Sequence, residues 1–206
     1  MKIKKSTLGL FAAGAILCAI SFRFDDFVIA WVAAHEDPAL HAAALFFSRW
    51  GDFPPIVALL LLLLLIAKIL KRSCRLLLVM LGCAIAGGIA ANIFRFVSGR
   101  ARPNARVPAG WYGMINHGHW IAGQYRFSSF PSAHTAVAIA CVFPLWYFRR
   151  WALAPLATLL AGCVAASRIL LNAHHLSDVL TSVWLGTLIA LLICAKFSRG
   201  EARGPR

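Results

Sequence analysis

Six apolar runs, at 7–22, 53–70, 76–94, 131–148, 152–170 and 179–197, divide this chain into stretches of hydrocarbon joined by short polar connections. About 20 consecutive apolar residues are what a helix needs to cross a bilayer. Inside lipid each backbone N–H and C=O must be paired within the spanning structure, and a helix pairs them within its own segment. Hydrophobic residues make up 61% of the sequence and charged residues 14%, against roughly 45–50% and about 25% in an average soluble domain. The expectation is an all-α, six-span transmembrane helical bundle, with residues 1–206 forming one integral membrane domain. Any ionisable group at membrane depth is costly there, and is by default a candidate for function.

The charges say which end of the bundle is which. Six spans place both termini and the connections near 71–75 and 149–150 on one side. That side carries Lys2, Lys4, Lys5, Lys68, Lys71, Arg72, Arg75, Arg149, Arg150, Lys196, Arg199, Arg203 and Arg206, with Glu201 its only acid. The opposite side holds Asp25, Asp26, Glu36, Asp37, Asp52 and Asp178, with fewer basic residues. The positive-inside rule then predicts a cytoplasmic amino terminus. The run after "MKIKK" has the basic start of a signal peptide, but no Ala-x-Ala site follows it, so a retained signal anchor is expected. A net charge of +14 would suit nucleic acid only on a basic face of a soluble module. Here the basic residues lie between apolar runs, so the expected partner is the lipid bilayer and not nucleic acid.

Five of the six cysteines, Cys18, Cys83, Cys141, Cys163 and Cys194, sit inside apolar runs, and no two are spaced Cys-x-x-Cys. They read as small hydrophobic residues, and no metal is expected. Residues 23–52 mix aromatics and charges in runs too short to cross, which predicts an interfacial helix with Trp31 and Trp50 at headgroup level. Residues 98–130 are rich in Gly, Pro, Arg and aromatics without a helical period, which marks a functional-loop candidate.

With this topology three polar clusters reach one membrane surface: "RFVSGRARP" (Arg95 to Pro103), "PSAH" (Pro131 to His134) and "SRILLNAHHLSD" (Ser167 to Asp178). Each has a bland reading by itself, since arginines at span ends snorkel to headgroups and an aspartate suits a helix start. Their coincidence on one side argues for a site. Pro131 suits the first position of a helix, which would leave the backbone N–H groups of Ser132, Ala133 and His134 free at its positive end. Such an end binds anions. The planar guanidinium groups of Arg95, Arg102 and Arg168 match phosphate oxygens in pairs, so the simplest ligand is a phosphate.

Together these stretches resemble the type 2 phosphatidic acid phosphatase family, or lipid phosphate phosphatases, whose motifs are Lys-x6-Arg-Pro, Pro-Ser-Gly-His and Ser-Arg-x5-His-x3-Asp. Here they read Arg95-x6-Arg102-Pro103, Pro131-Ser132-Ala133-His134 and Ser167-Arg168-x5-His174-x3-Asp178, in the same order. Arginine stands for lysine at 95 and keeps the charge. Alanine stands for glycine at 133, which a helical backbone accepts.

The resemblance implies that His174 attacks phosphorus to give a phosphohistidine that water hydrolyses, with no cofactor. If residues 174–178 are helical, His174 and Asp178 share a face, and the carboxylate would hold the imidazole in its attacking tautomer. His134 is placed to protonate the leaving oxygen and later to activate water. His175, about 100° around such a helix from His174, is expected to pack or to meet headgroups. The implied substrate is a membrane lipid phosphate: undecaprenyl diphosphate, phosphatidylglycerophosphate, phosphatidate or a lipid A phosphate. The implied place is a bacterial inner membrane, with the site facing the periplasm or exterior. Transfer of the phosphate to another lipid, or binding and transport without chemistry, are the competing readings. Trp111, Tyr112 and Trp120 of the 104–130 loop either select the substrate or form an interface belt.

Overall fold

The protein, described here from a computed structural model over residues 5–202, is mostly helical. Lys2, Lys4, Arg203 and Arg206, counted above on the basic side, lie outside the described residues. Each of the six apolar runs forms one helix: α1 (Lys5–Ser21), α4 (Phe53–Ile69), α5 (Arg75–Ser98), α6 (Ala133–Tyr147), α7 (Ala154–Leu170) and α8 (Leu176–Ala202). The expected interfacial helix is two, α2 (Asp25–Ala34) and α3 (Pro38–Trp50). They part at Asp37, whose carboxylate caps α3 by accepting the Leu40 N–H at 2.7 Å, with Pro38 in the first turn. The loop before α6 carries a small antiparallel hairpin, β1 (Ile115–Asn116) with β2 (His119–Trp120).

Length qualifies the six-span expectation. α5 and the Leu176–Arg199 part of α8 are each long and apolar enough to cross a membrane, and α3 with α4, bent by 57° at their junction, pass the same test only as a pair. α6 and α7 have 15 and 17 residues, whereas about 20 are needed for an upright span. Among the described residues, length and composition therefore carry two spans, or three with the bent pair.

α6 is the centre of the bundle because its side chains are small. Gly87 of α5 and Gly186 of α8 both face the backbone of α6 at Ala136, where any added Cβ would lie 3.1 Å and 2.7 Å from the carbonyl oxygen. Small residues at such crossings let helix backbones approach within lipid. Leu60 of α4 joins Ala84, Val137 and Cys141 on a second side of α6, and Ala161 and Val164 of α7 pack on Ala138 on a third. Cys83, Cys141 and Cys194 are buried in these contacts as unpaired thiols, as their apolar surroundings implied.

The connections sort to two ends. The α4–α5 and α6–α7 turns hold Lys71, Arg72, Arg149 and Arg150, and near them the Arg75 guanidinium lies 4.6 Å over the Phe197 ring. At the other end meet the close of α5, the start of α6, the close of α7 and the start of α8. Gly99 makes the first of these turns. It stops α5 in the left-handed conformation (φ 56°), and a Cβ there would fall 1.9 Å from the Gly113 carbonyl oxygen. That turn delivers Arg100 and Arg102 to the same place as α6 and α8.

Candidate active site

His174 lies in the turn between α7 and α8, 1% exposed. Its Nδ1 is 2.7 Å from the Ser129 carbonyl oxygen, which only accepts, so Nδ1 carries the proton and Nε2 keeps its lone pair. Arg102 Nη1 stands 3.3 Å from that Nε2. Burial, opposed by the nearby Asp178 carboxylate, pulls the His174 pKa down to about 3, so the ring is neutral at pH 7. A free lone pair on Nε2 is the tautomer that a nucleophilic histidine requires.

The partner differs from the one expected from spacing. α8 begins at Leu176, so His174 and Asp178 are not four apart on one helix, and the His174 Nδ1 to Asp178 Oδ2 distance is 3.7 Å. Asp178 acts one residue removed: its Oδ2 accepts the Ser129 hydroxyl at 2.5 Å, and the Ser129 carbonyl holds His174. The same Oδ2 accepts the His175 N–H at 2.8 Å and its Nδ1–H at 3.0 Å. His175 is therefore a buried partner of Asp178, which settles its two expectations for packing and against headgroups.

Asp178 is wholly buried, and its charge is balanced by a residue that motif spacing left out. Arg100 Nη1 donates to Asp178 Oδ1 at 2.6 Å and to Ser177 Oγ at 2.7 Å, while its Nη2 donates to Asp25 Oδ2 at 2.7 Å. Asp25, from the start of α2, also accepts the Ser177 N–H at 2.9 Å and its hydroxyl at 2.6 Å. Trp111 and Phe22, themselves in contact, both lie against the guanidinium, with ring centroids 4.9 Å and 5.1 Å away. Trp111 is thus partly structural, while Trp120 at the hairpin is exposed. Buried ions persist only when paired and hydrogen-bonded on all sides, and this cluster is.

The start of α6 departs from expectation by one residue. Pro131 precedes the helix, and Ser132 is its N-cap, with Oγ near the Thr135 hydroxyl (3.1 Å) and N–H (3.5 Å). The Ser132 N–H points at the Asp178 carbonyl, 3.4 Å away. The three free amides expected here are accordingly two, at Ala133 and His134, because the Asp178 carbonyl takes up the Ser132 N–H. His134 Nε2 lies 3.4 Å from Asp52 Oδ1. Asp52 also caps α4 through the Phe53 N–H, and nothing in the sequence pattern tied it to His134.

The three arginines converge from three elements. Arg102 is held by the carbonyls of Tyr125 (2.8 Å), Ser128 (3.0 Å) and Ala173 (3.1 Å) and stacks on Tyr125. Burial lowers its pKa, the mark of a cation held from water. Arg95 Nε donates to the Pro131 carbonyl at 2.9 Å, which ties α5 to the start of α6. Arg168 Nη1 donates to the Ser48 hydroxyl of α3. Yet Arg95 Nη2 and Arg168 Nε are buried without a protein partner. Donors left open beside like charges describe a receptor for an anion with several oxygens.

A sequence profile of the PAP2 superfamily matches residues 75–200, and the chain belongs to that superfamily. Lipid A 1-phosphatases of Rhizobium johnstonii and Rhizobium etli are each 32% identical to it over 117 residues, 56% of this chain. Those residues are 45% and 47% of the two relatives, so the chain spans about half the length of the curated proteins it matches. The crystal structure of a transmembrane PAP2-type phosphatidylglycerolphosphate phosphatase from Bacillus subtilis shares the fold. Its TM-score is 0.64, over 96% of this chain and 98% of that one, at 18% identity.

Proposed function

We propose that this chain is an integral membrane lipid phosphatase that works through a phosphohistidine on His174, with all six apolar helices crossing the bilayer. The observation that carries the reading is the meeting of Arg95, Arg102 and Arg168 around a neutral, tautomer-fixed His174, with arginine donors unfilled. In the first step the Nε2 lone pair attacks phosphorus and the bond to the leaving oxygen breaks. His134 gives that oxygen its proton. In the second step His134 takes a proton from water, the resulting oxygen attacks phosphorus, and the N–P bond breaks to restore His174. The guanidinium groups, with the Ala133 and His134 amides, bear the charge on the equatorial oxygens. Ser132 supports these amides as the helix cap, and Asp178 supports His174 through Ser129.

Three guanidinium groups supply the positive charge that a divalent ion supplies elsewhere, so turnover is expected to persist in EDTA. The charge asymmetry of the sequence supports a site on the face away from the cytoplasm. The substrates named for the relatives, lipid A phosphate and phosphatidylglycerol phosphate, join phosphatidate and undecaprenyl diphosphate as candidates for this chain. The test is phosphate release by the purified protein from that panel in detergent micelles, with and without EDTA. Release that needs an acceptor lipid would make the protein a transferase. No release from any member, with the lipids bound, would make it a binder or transporter.

A further inference from the structure

A cavity of about 350 Å³ opens between α4, α5 and α6, lined by Asp52, Arg95 and His134 at one end and by Ile89, Gly88 and Ile85 at the other. Asn92 lines it midway. Residues 85, 88, 89, 92 and 95 form one stripe of α5, so at about 1.5 Å per residue Asn92 lies roughly 4.5 Å deeper along the helix than Arg95. Ile85 lies about 10 Å deeper again. Arg95, whose Nη2 is buried without a partner, is one of the residues that line the cavity. Asn92 is exposed on a helix long and apolar enough to span a membrane, and its amide has no protein hydrogen bond among the described residues. A carboxamide facing hydrocarbon without a partner is costly. Its neighbours on the stripe, Ile85 and Ile89, are apolar.

We propose that this cavity receives the part of the substrate next to its phosphate, and that Asn92 hydrogen-bonds an oxygen-bearing linkage there, an ester, amide or hydroxyl a few bonds from phosphorus. The inference rests on the phosphatase reading for the position of the phosphate. It divides the candidate substrates by chemistry. Glycerolipid phosphates and acylated amino-sugar phosphates carry such oxygens within reach of Asn92, whereas polyprenyl monophosphates continue as hydrocarbon directly after the phosphoester oxygen; a polyprenyl diphosphate places its second phosphate there before the hydrocarbon begins. An amide left facing hydrocarbon without a partner disfavours a polyprenyl monophosphate.

The experiment compares phosphatidate, lipid A and farnesyl phosphate, with phenyl phosphate as a probe that does not fill the cavity. Wild type is expected to favour the first two. Asn92→Leu should lower kcat/KM for them by about tenfold, the loss of one hydrogen bond, raise it for farnesyl phosphate, which no longer meets an unpaired amide, and leave phenyl phosphate unchanged. Asn92→Ser, which keeps a hydroxyl, should fall between. A loss confined to phosphatidate would assign the linkage to a glycerol ester, and one confined to lipid A to the amino sugar. Equal losses on every probe, or none on any, would overturn the proposal. Lipid retention by His174→Ala protein, with and without Asn92→Leu, read by native mass spectrometry, separates the two readings. A selectivity in binding that Asn92→Leu erases supports the cavity even if no phosphate is released, an outcome that would refute the phosphatase reading alone.

Discussion

Around His174 the polar atoms are spoken for, while around His134 they are left open. Asp178 receives four hydrogen bonds, from Arg100, Ser129 and two atoms of His175, and Asp25 locks the same cluster to α2. On the other side Asp52 is half exposed, Arg95 has an unpartnered nitrogen, and the cavity runs past both. Arg100 and Arg95 are five residues apart in one motif, yet one is a saturated structural cation and the other an open receptor. Under the proposed phosphatase reading the contrast separates holding from binding: a nucleophilic histidine needs one fixed tautomer, whereas a phosphate must enter and leave.

The sharpest break of the comparison is at the nucleophile. His174→Ala should reduce turnover by at least about 10⁴-fold and abolish covalent labelling by phosphate. His175→Ala should still label, with turnover lowered by about tenfold through the lost Asp178 contact. Labelling that survives His174→Ala and vanishes with His175→Ala would reverse the assignment.

The two arginines should fail in different ways. Arg95→Ala is expected to cut kcat/KM by about 10²–10³-fold with little fall in thermal stability, since the lost hydrogen bond to the Pro131 carbonyl is offset by removing a cation from a positive cluster. Arg100→Ala strands Asp25 and Asp178 as buried charges and should cost about 3–5 kcal/mol of stability, read as a lowered unfolding midpoint. If the two variants lose stability equally, the division into holding and binding sides fails. Asp52→Asn should act more mildly, lowering kcat by about tenfold or somewhat more by loosening His134, with KM little changed.

A pH titration sharpens the comparison further. The folded-state pKa of His174 is depressed from 6.5 to about 3, so its contribution to stability is complete above 6.5 and is lost as pH falls toward 3. In ¹⁵N-histidine NMR, with His174 assigned from its substitution by Asn, its Nδ1–H tautomer should persist from pH 8 to pH 5. Protonation within that range would show that the site is wetter than described. The smallest effect is expected at the hairpin, where Trp120→Ala should leave turnover of phenyl phosphate within about twofold, as exposed positions usually do.

The positions of the helices were legible in the sequence because hydrophobicity acts run by run. Each of the six apolar runs became a helix, although α6 and α7 came out shorter than upright spans. The polar stretch 23–52 concealed two helices, since its break at Asp37 and Pro38 is a capping signal that a search for apolar length passes over. The motif spacings likewise picked out Arg95, Arg102, Arg168, His134 and His174, which do meet. Their roles in turnover are tested by the variants above.

What the sequence determined by itself was local: which runs are apolar, where helices begin and end, and which motif residues share one end of the bundle. Tertiary structure alone decided the pairings. Asp25 meets Ser177 from 152 positions away, Asp52 meets His134 across two helices, and the Ser129 carbonyl, not Asp178, takes the His174 proton. A backbone carbonyl has no signature in residue type, and the partner of a buried charge is chosen by whichever group the packed helices bring within reach. Spacing along the chain therefore placed Asp178 correctly and misjudged what it touches.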